Sequence, residues 1–298
     1  MTLFVQLVLN GLVAGSLYAL MAAGLALILG ATMHFHIAHA AVFASAGYLT
    51  YICTAFLGLH PALSALLAIA VAVLMGMGIV RFLYVPLTRR GGAGFILFLV
   101  SLGVLVVLDN IFTIGLGARP AKPGLGEWFG HVQQLGPWSL TWGQLLIILL
   151  SFGLVAGLIV CLEKTQAGKL VKAYSGNPEF FQLFGRKPMT VLLLVYAVGS
   201  FFGAIAGVYV AADTGMLPGL GEQFFIIAIM VVFIGGIGSV RGAFLAAMLL
   251  GVLQHVLLLW MGSEWTLAAV FIAFLALITI SPQGLHKLSL PTRRRRLA

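Results

Sequence analysis

The chain runs eighty residues before its first charged side chain, Arg81. That stretch is too long for one helix and too apolar for a soluble domain. It divides at Met33-His-Phe-His36 and at Gly58-Leu-His-Pro61, which predicts helices over 4–31, 38–57 and 62–84. A membrane span needs roughly 20 apolar residues to cross about 30 Å of hydrocarbon. In lipid such a backbone must satisfy its own hydrogen bonds, so it forms helices or a closed barrel. No alternating barrel pattern occurs. The first segment has no basic leading region and runs straight into further apolar sequence, so it does not read as a cleaved signal peptide. Later runs predict helices over 95–117, 143–162, 189–212, 222–240, 243–261 and 265–281, with 222–240 the most interrupted.

Composition agrees with this reading. Hydrophobic residues make up 62% of the chain and charged residues 8%, against about 25% charged in soluble domains. A soluble enzyme, a nucleic-acid binder and a disordered chain are excluded. The net charge of +9 forms no face; it lies in the gaps between apolar runs. If the helices alternate, all but Arg119 and Lys122 of the 16 Lys and Arg fall on one side, the cytoplasmic side by the positive-inside rule. This predicts that 85–94, 163–188, the Arg241 turn and the C-terminus are cytoplasmic, with anionic lipid as a partner of the basic loops. Loops 118–142, 213–221 and 262–264 are then external. The N-terminus is external too, unless one early segment only dips into the membrane. Cys53 and Cys161 show neither metal-ligand spacing nor a disulfide framework.

A few polar positions invite functional readings. The stretch 163–188 predicts two short amphipathic helices, with apolar faces from Leu170, Val171 and Tyr174 and from Phe180, Phe181 and Phe184. Pro178 after Asn177 suits a first turn and Gly185 a stop. Such a stretch is either a docking element for a cytoplasmic protein or an interfacial segment on lipid headgroups. His36 and His39 share a helix face with His34 just before them, but no Cys, Asp or Glu within ten residues completes a metal set. Two readings remain for the pair: capping, or a translocation path in which a helix start receives a substrate carboxylate. Asp109, inside an apolar run, is a third path candidate, since intramembrane carboxylates are costly. The alternative is a structural Asp near the outer interface.

Glycines four apart at Gly11/Gly15, Gly153/Gly157 and Gly199/Gly203/Gly207 suit close helix packing. The segments from Asn10 and Gly199 echo each other weakly, as in an inverted repeat. No phosphate-cradling loop and no paired catalytic carboxylates occur. An intramembrane enzyme would have to use an arrangement such as Ser101–Asp109–His39.

Several segments resemble the LivH-type permease subunits of ATP-driven importers for branched-chain amino acids. They are LNGLVAGSLYAL from Leu9 with Gly24; Ile37-Ala-His39 with Gly47 and Tyr48; RFLYVPL from Arg81 with Arg89; Gly168 through Gly185; GGIGSVRG from Gly235; and SPQGL from Ser281. The resemblance covers nearly the whole chain. It implies an all-α polytopic permease of about eight (eight or nine) spans: one domain over 1–285, a coupling loop at 163–188, and a basic cytoplasmic tail at 286–298. It implies a LivM-like second permease, two ATP-binding subunits that use the ATP, and a periplasmic binding protein. The chain itself then holds no cofactor, does no catalysis and sits in a bacterial inner membrane. In the coupling pattern TxxGxxxRA, Thr165, Gly168, Lys172 and Ala173 fall in place, with Glu179, Phe181 and Gly185 beyond. Lys172 stands where Arg is usual, which keeps charge but loses the bidentate fork. The family's NFAHGE stretch is HIAHAA here, from His36, and Gln254 stands where Glu is often found. The resemblance therefore leaves the solute open between a branched-chain amino acid and a urea-like compound, a short amide or another small carboxylate.

Lacking a phosphate loop, the purified chain is expected to hydrolyse no ATP. A phosphate-release assay on the isolated chain checks this; turnover that persists after contaminating ATPases are removed would contradict it.

Overall fold

The computed structural model describes residues 2–92, 94–124 and 127–280. The SPQGL segment and the 286–298 tail lie outside them, as does the side of the C-terminus. The expected helices form: α1 (Thr2–Thr32), α2 (Ala38–Ala55) and α3 (Pro61–Gly78), the last continued by a π-helical turn (Ile79–Tyr84) into α4 (Val85–Arg89). Then follow α5 (Gly94–Leu116), the short α6 (Glu127–Gly130), a hairpin of β1 (Val132–Leu135) and β2 (Trp138–Thr141), and α7 (Trp142–Lys164). The remainder is α8 (Gln166–Gly176), α9 (Pro178–Leu183), α10 (Pro188–Asp213), α11 (Leu220–Gly235), α12 (Val240–Val256) and α13 (Ser263–Ile280). Among the described residues six helices are long and apolar enough to cross a membrane: α1, α3 with its extension, α5, α7, α10, and α12 with its last turn. The chain is thus an all-α, multi-pass membrane protein with one small hairpin in a loop. The hairpin departs from the loop expected over 118–142. The break expected at 241–242 falls earlier, where Gly236 and Gly238 adopt positive φ and Ser239 caps α12 by accepting from the Gly242 N–H.

α1 is the axis of the bundle and is buried along most of its length. α12 lies antiparallel on it: a Cβ at Gly11 would meet the Val252 backbone at 2.6 Å, one at Gly15 would meet Met248 at 3.0 Å, and one at Gly30 would meet Gly238 at 2.5 Å. On the partner helix, a Cβ at Gly251 would lie 2.5 Å from the Gly11 carbonyl oxygen. α10 covers another side through Gly199, against Ile28 and Gly24, and runs parallel to α2 through Gly203 at His39 and Gly207 at Phe43. Two of the three glycine stripes therefore make close backbone contacts. The third does not: nothing lies within 4 Å of a Cβ at Gly153 or Gly157, and both face outward on α7. Around this centre α3, α5 and α7 are mostly exposed, with 33%, 17% and 22% of their apolar windows buried, as expected of lipid-facing helices.

The two ends of the bundle differ. At one end the Gln6 amide clamps β2, donating to the Ser139 carbonyl (2.9 Å) and accepting from its N–H (3.0 Å). There Ala121 and Met216 pair in an isolated β-bridge, and Lys122 donates to the Asp213 carbonyl. At the other end lie the α1–α2 connection, α4, α8 and α9, and the Arg241–Glu163 ion pair at 2.7 Å. Arg119 and Lys122 are thus separated from the other described cations. α1 starts at the hairpin end and reaches Gly238 at the basic end. α2 returns, and α3 starts beside Phe129 and ends with Tyr84 at His36.

Because a side chain at position 251 has only backbone to displace, Gly251→Leu should cost about 1–3 kcal/mol or more through overpacking. Gly157→Ala, in open space, should be near neutral. Thermal unfolding of the two variants in detergent checks the contrast.

Candidate functional site

The segment 163–188 folds as a helical hairpin at the basic end, set by its caps. Thr165 Oγ1 donates to the Cys161 carbonyl (2.7 Å) and accepts from the Gly168 N–H (3.2 Å), so one hydroxyl ends α7 and starts α8. Gly168 is buried at this bend, where a Cβ would meet the Cys161 carbonyl oxygen at 2.5 Å. Its steric role is therefore within the chain, and it is not part of an outer face. Asn177 Oδ1 accepts from the N–H groups of Glu179 and Phe180 (3.0 and 2.9 Å), Pro178 occupies the first turn of α9, and Gly185 follows α9 with φ +69°. Phe181 is buried and meets the Tyr174 ring edge-on at 5.7 Å between centroids; it joins the two helices and does not point outward. Burial pushes the Tyr174 phenol up, so it stays protonated at neutral pH. The outward apolar groups are Phe180, Leu183 and Phe184, with Leu183 and Phe184 each 79% exposed. Lys172, Ala173 and Glu179 are exposed beside them. Lys172 also borders a cavity of about 300 Å³ shared with Glu163 and Arg241.

His36 and His39 lie at the core of the bundle, both fully buried. His36 Nδ1 pairs with the Tyr84 hydroxyl at 2.8 Å, and its ring meets Tyr196 edge-on at 4.9 Å. His39 Nε2–H donates to the Met21 carbonyl at 3.3 Å. Its ring occupies a slot that exists because positions 24 and 203 are glycines: Cβ atoms there would lie 3.1 and 2.9 Å from its Cε1. The start of α2 is occupied within the chain, since the Ala38 N–H donates to Ser101 Oγ at 2.8 Å. His36 Nε2 and His39 Nδ1 are buried without hydrogen-bond partners, which is costly unless water or a ligand reaches them. His34 sits near the surface of the basic end, and partial burial lowers its pKa from the ordinary 6.5.

Asp109 lies at the opposite end of α5, where its Oδ1 accepts from the Gly219 N–H at 3.4 Å and holds the loop before α11. Ser101, Asp109 and His39 each bond to different backbone groups and form no catalytic chain. Among the described residues no group of three His, Cys, Asp or Glu could hold a metal ion. Sequence reasoning missed Tyr84 and Tyr196, the two tyrosines that close on His36. Tyr84 lies in the RFLYVPL segment and is turned inward by the π turn. Tyr196 stands three residues before the Gly199 stripe.

A profile of the family described as branched-chain amino acid transport system / permease component matches residues 7–280. Among curated relatives, the high-affinity branched-chain amino acid transport system permease protein BraD of Pseudomonas aeruginosa is 28% identical over 263 residues, covering 84% of this chain and 85% of its own. The corresponding protein LivH of Escherichia coli is 26% identical over 295 residues, covering 95% of both chains. The fructose import permease protein FruF of Bifidobacterium longum is 26% identical over 180 residues, covering 57% of this chain and 48% of its own. No solved structure matches.

Gly168→Val should push α8 off the end of α7 at a cost of about 1–3 kcal/mol. Limited proteolysis should then cut within 165–187 faster while the thermal midpoint of the bundle changes little. Wild-type protection of that stretch would contradict the packing described.

Proposed function

Since the chain belongs to the family of branched-chain amino acid transport permease components, we propose that it carries branched-chain or related amino acids through the cytoplasmic membrane of a bacterium. The family is one of transport permeases, not catalysts. ATP is hydrolysed on two separate subunits, a LivM-like second permease completes the path, and a periplasmic binding protein delivers the solute. The observation that carries this reading is the hairpin α8–α9. At the basic end it presents Phe180, Leu183 and Phe184 outward beside Lys172, Ala173 and Glu179. An apolar patch rimmed by charge marks a protein contact, and the positive-inside rule puts that contact in the cytoplasm.

In this reading Thr165, Gly168, Phe181 and Gly185 build the coupling hairpin, and Lys172, Ala173 and Glu179 meet the ATP-binding subunit. Nine crossings follow if α2, α11 and α13 join the six long spans, eight if one of them does not; the Asn10 and Gly199 segments are then halves of an inverted repeat. The path runs beside His36 and His39, whose orphan ring nitrogens face a passing solute once α2 and α10 part, with Asp109 holding the outer loop. The changed HIAHAA stretch favours a second reading in which the solute is a urea-like compound, a short amide or another small carboxylate. Calorimetry of the cognate binding protein with leucine, urea and acetamide separates the two.

Leu183→Asp should leave the chain inserted and folded but lose about 2 kcal/mol of assembly with the ATP-binding subunits, roughly thirty-fold in affinity. Co-purification and solute-stimulated ATP turnover read this out. Unchanged assembly would remove the docking assignment.

A further inference from the structure

A cavity of about 620 Å³ opens at the basic end between α3–α4, the docking hairpin and the start of α10. Its size is that of a small-molecule site, for which about 300–1,000 Å³ is usual. Three cations line it: Arg89 at the end of α4, and Arg186 with Lys187 just before α10. Among the described residues no acidic side chain lines it, and none of the three has an ion-pair partner. The deeper wall is aliphatic, from Val80, Met189 and Leu192. Tyr84 and Tyr196 also line the cavity. Tyr196 is fully buried, and its hydroxyl interacts with the Thr32 side chain.

Unpaired cations beside an apolar wall are complementary to an anionic group on a short apolar body. We propose that this cavity is a binding site for an aliphatic monocarboxylate, with the carboxylate held by Arg186, Lys187 and Arg89 and the tail against α10. An amino acid fits poorly, because its ammonium would meet three cations and no carboxylate. A phospholipid fits poorly for a different reason. From Pro188 to Tyr196 the cavity follows nine residues of α10, eight rises or about 12 Å, which takes one short tail but not two acyl chains of about 15 Å each. Tyr174, Gln182 and Gly185 of the docking hairpin form the opposite wall, so an occupant bridges the hairpin and the bundle. Occupancy would therefore tie the hairpin to the bundle, whether or not the chain serves in amino-acid import.

The test is calorimetry on the full chain in detergent with hexanoate, leucine and hexylamine. Hexanoate should bind saturably, leucine at least tenfold more weakly and hexylamine not at all. Arg186→Ala and Lys187→Gln, both at exposed positions, should each weaken hexanoate about tenfold or more, the worth of a charged hydrogen bond, without lowering the thermal midpoint. Hydrogen exchange over 174–187 should slow on adding hexanoate to the wild type. Four results would overturn the proposal: no hexanoate binding, equal affinity for leucine, indifference to Arg186→Ala and Lys187→Gln, or binding in phosphatidylcholine nanodiscs that phosphatidylglycerol abolishes, which would assign the site to lipid headgroups.

Discussion

In hydrocarbon, helices gain nothing by hiding apolar side chains from one another, so α1 is held at the centre by close packing and by hydrogen bonds such as Tyr18 to Gln254 of α12 at 2.8 Å. Gly11, Gly15, Gly24 and Gly30 let α12 and α10 approach its bare backbone. At those distances dispersion and Cα–H···O contacts accumulate along the helix. Every other element takes its place from this axis. α12 antiparallel on α1 puts Gly238 and Arg241 at the basic end, and α10 parallel to α2 brings Gly203 to His39.

The same packing separates two chemically different ends. The hairpin end is tied by neutral amide contacts, Gln6 to Ser139 and Ala121 to Met216. The basic end carries the Arg241–Glu163 pair, the α8–α9 hairpin and the cation-lined cavity. Between them lies the His36–His39 pair, joined through Tyr84 to the π turn and through the Gly24 and Gly203 slot to α1 and α10. A π turn inside a long helix is an uncommon feature found often at functional positions. Here it places the last residue of the turn, Tyr84, on His36. The α8–α9 hairpin borders the same cavity as Tyr84 and Tyr196, the two rings that meet His36.

Much of this was legible because apolar runs and caps are local signals. The helices, the Asn177–Pro178 start, the Gly185 stop and two glycine stripes follow from residue type at fixed spacing. What was not legible depends on what lies opposite. Gly153 and Gly157 have the same spacing as Gly199 and Gly203, yet face outward, because a stripe does not say which neighbour meets it. Phe180 and Phe181 lie on a helix of six residues and Phe184 just after it, so periodicity could not tell that Phe181 turns in while Phe184 turns out. The start of α2 looked free in sequence and is taken by Ser101, a residue 63 positions away from Ala38. The β hairpin was read as loop because each strand is only four residues long.

The α8–α9 hairpin and the β hairpin lie at opposite ends of the bundle, and the proposed orientation puts them on opposite sides of the membrane. Cys53 and Cys161 are first replaced with serine, and single cysteines are then placed at Gln134 and at Gly176. An impermeant maleimide applied to intact cells should label position 134 at once and position 176 only after permeabilisation. Labelling of position 176 in intact cells, with 134 protected, would contradict the orientation; labelling of both would contradict the separation of the ends.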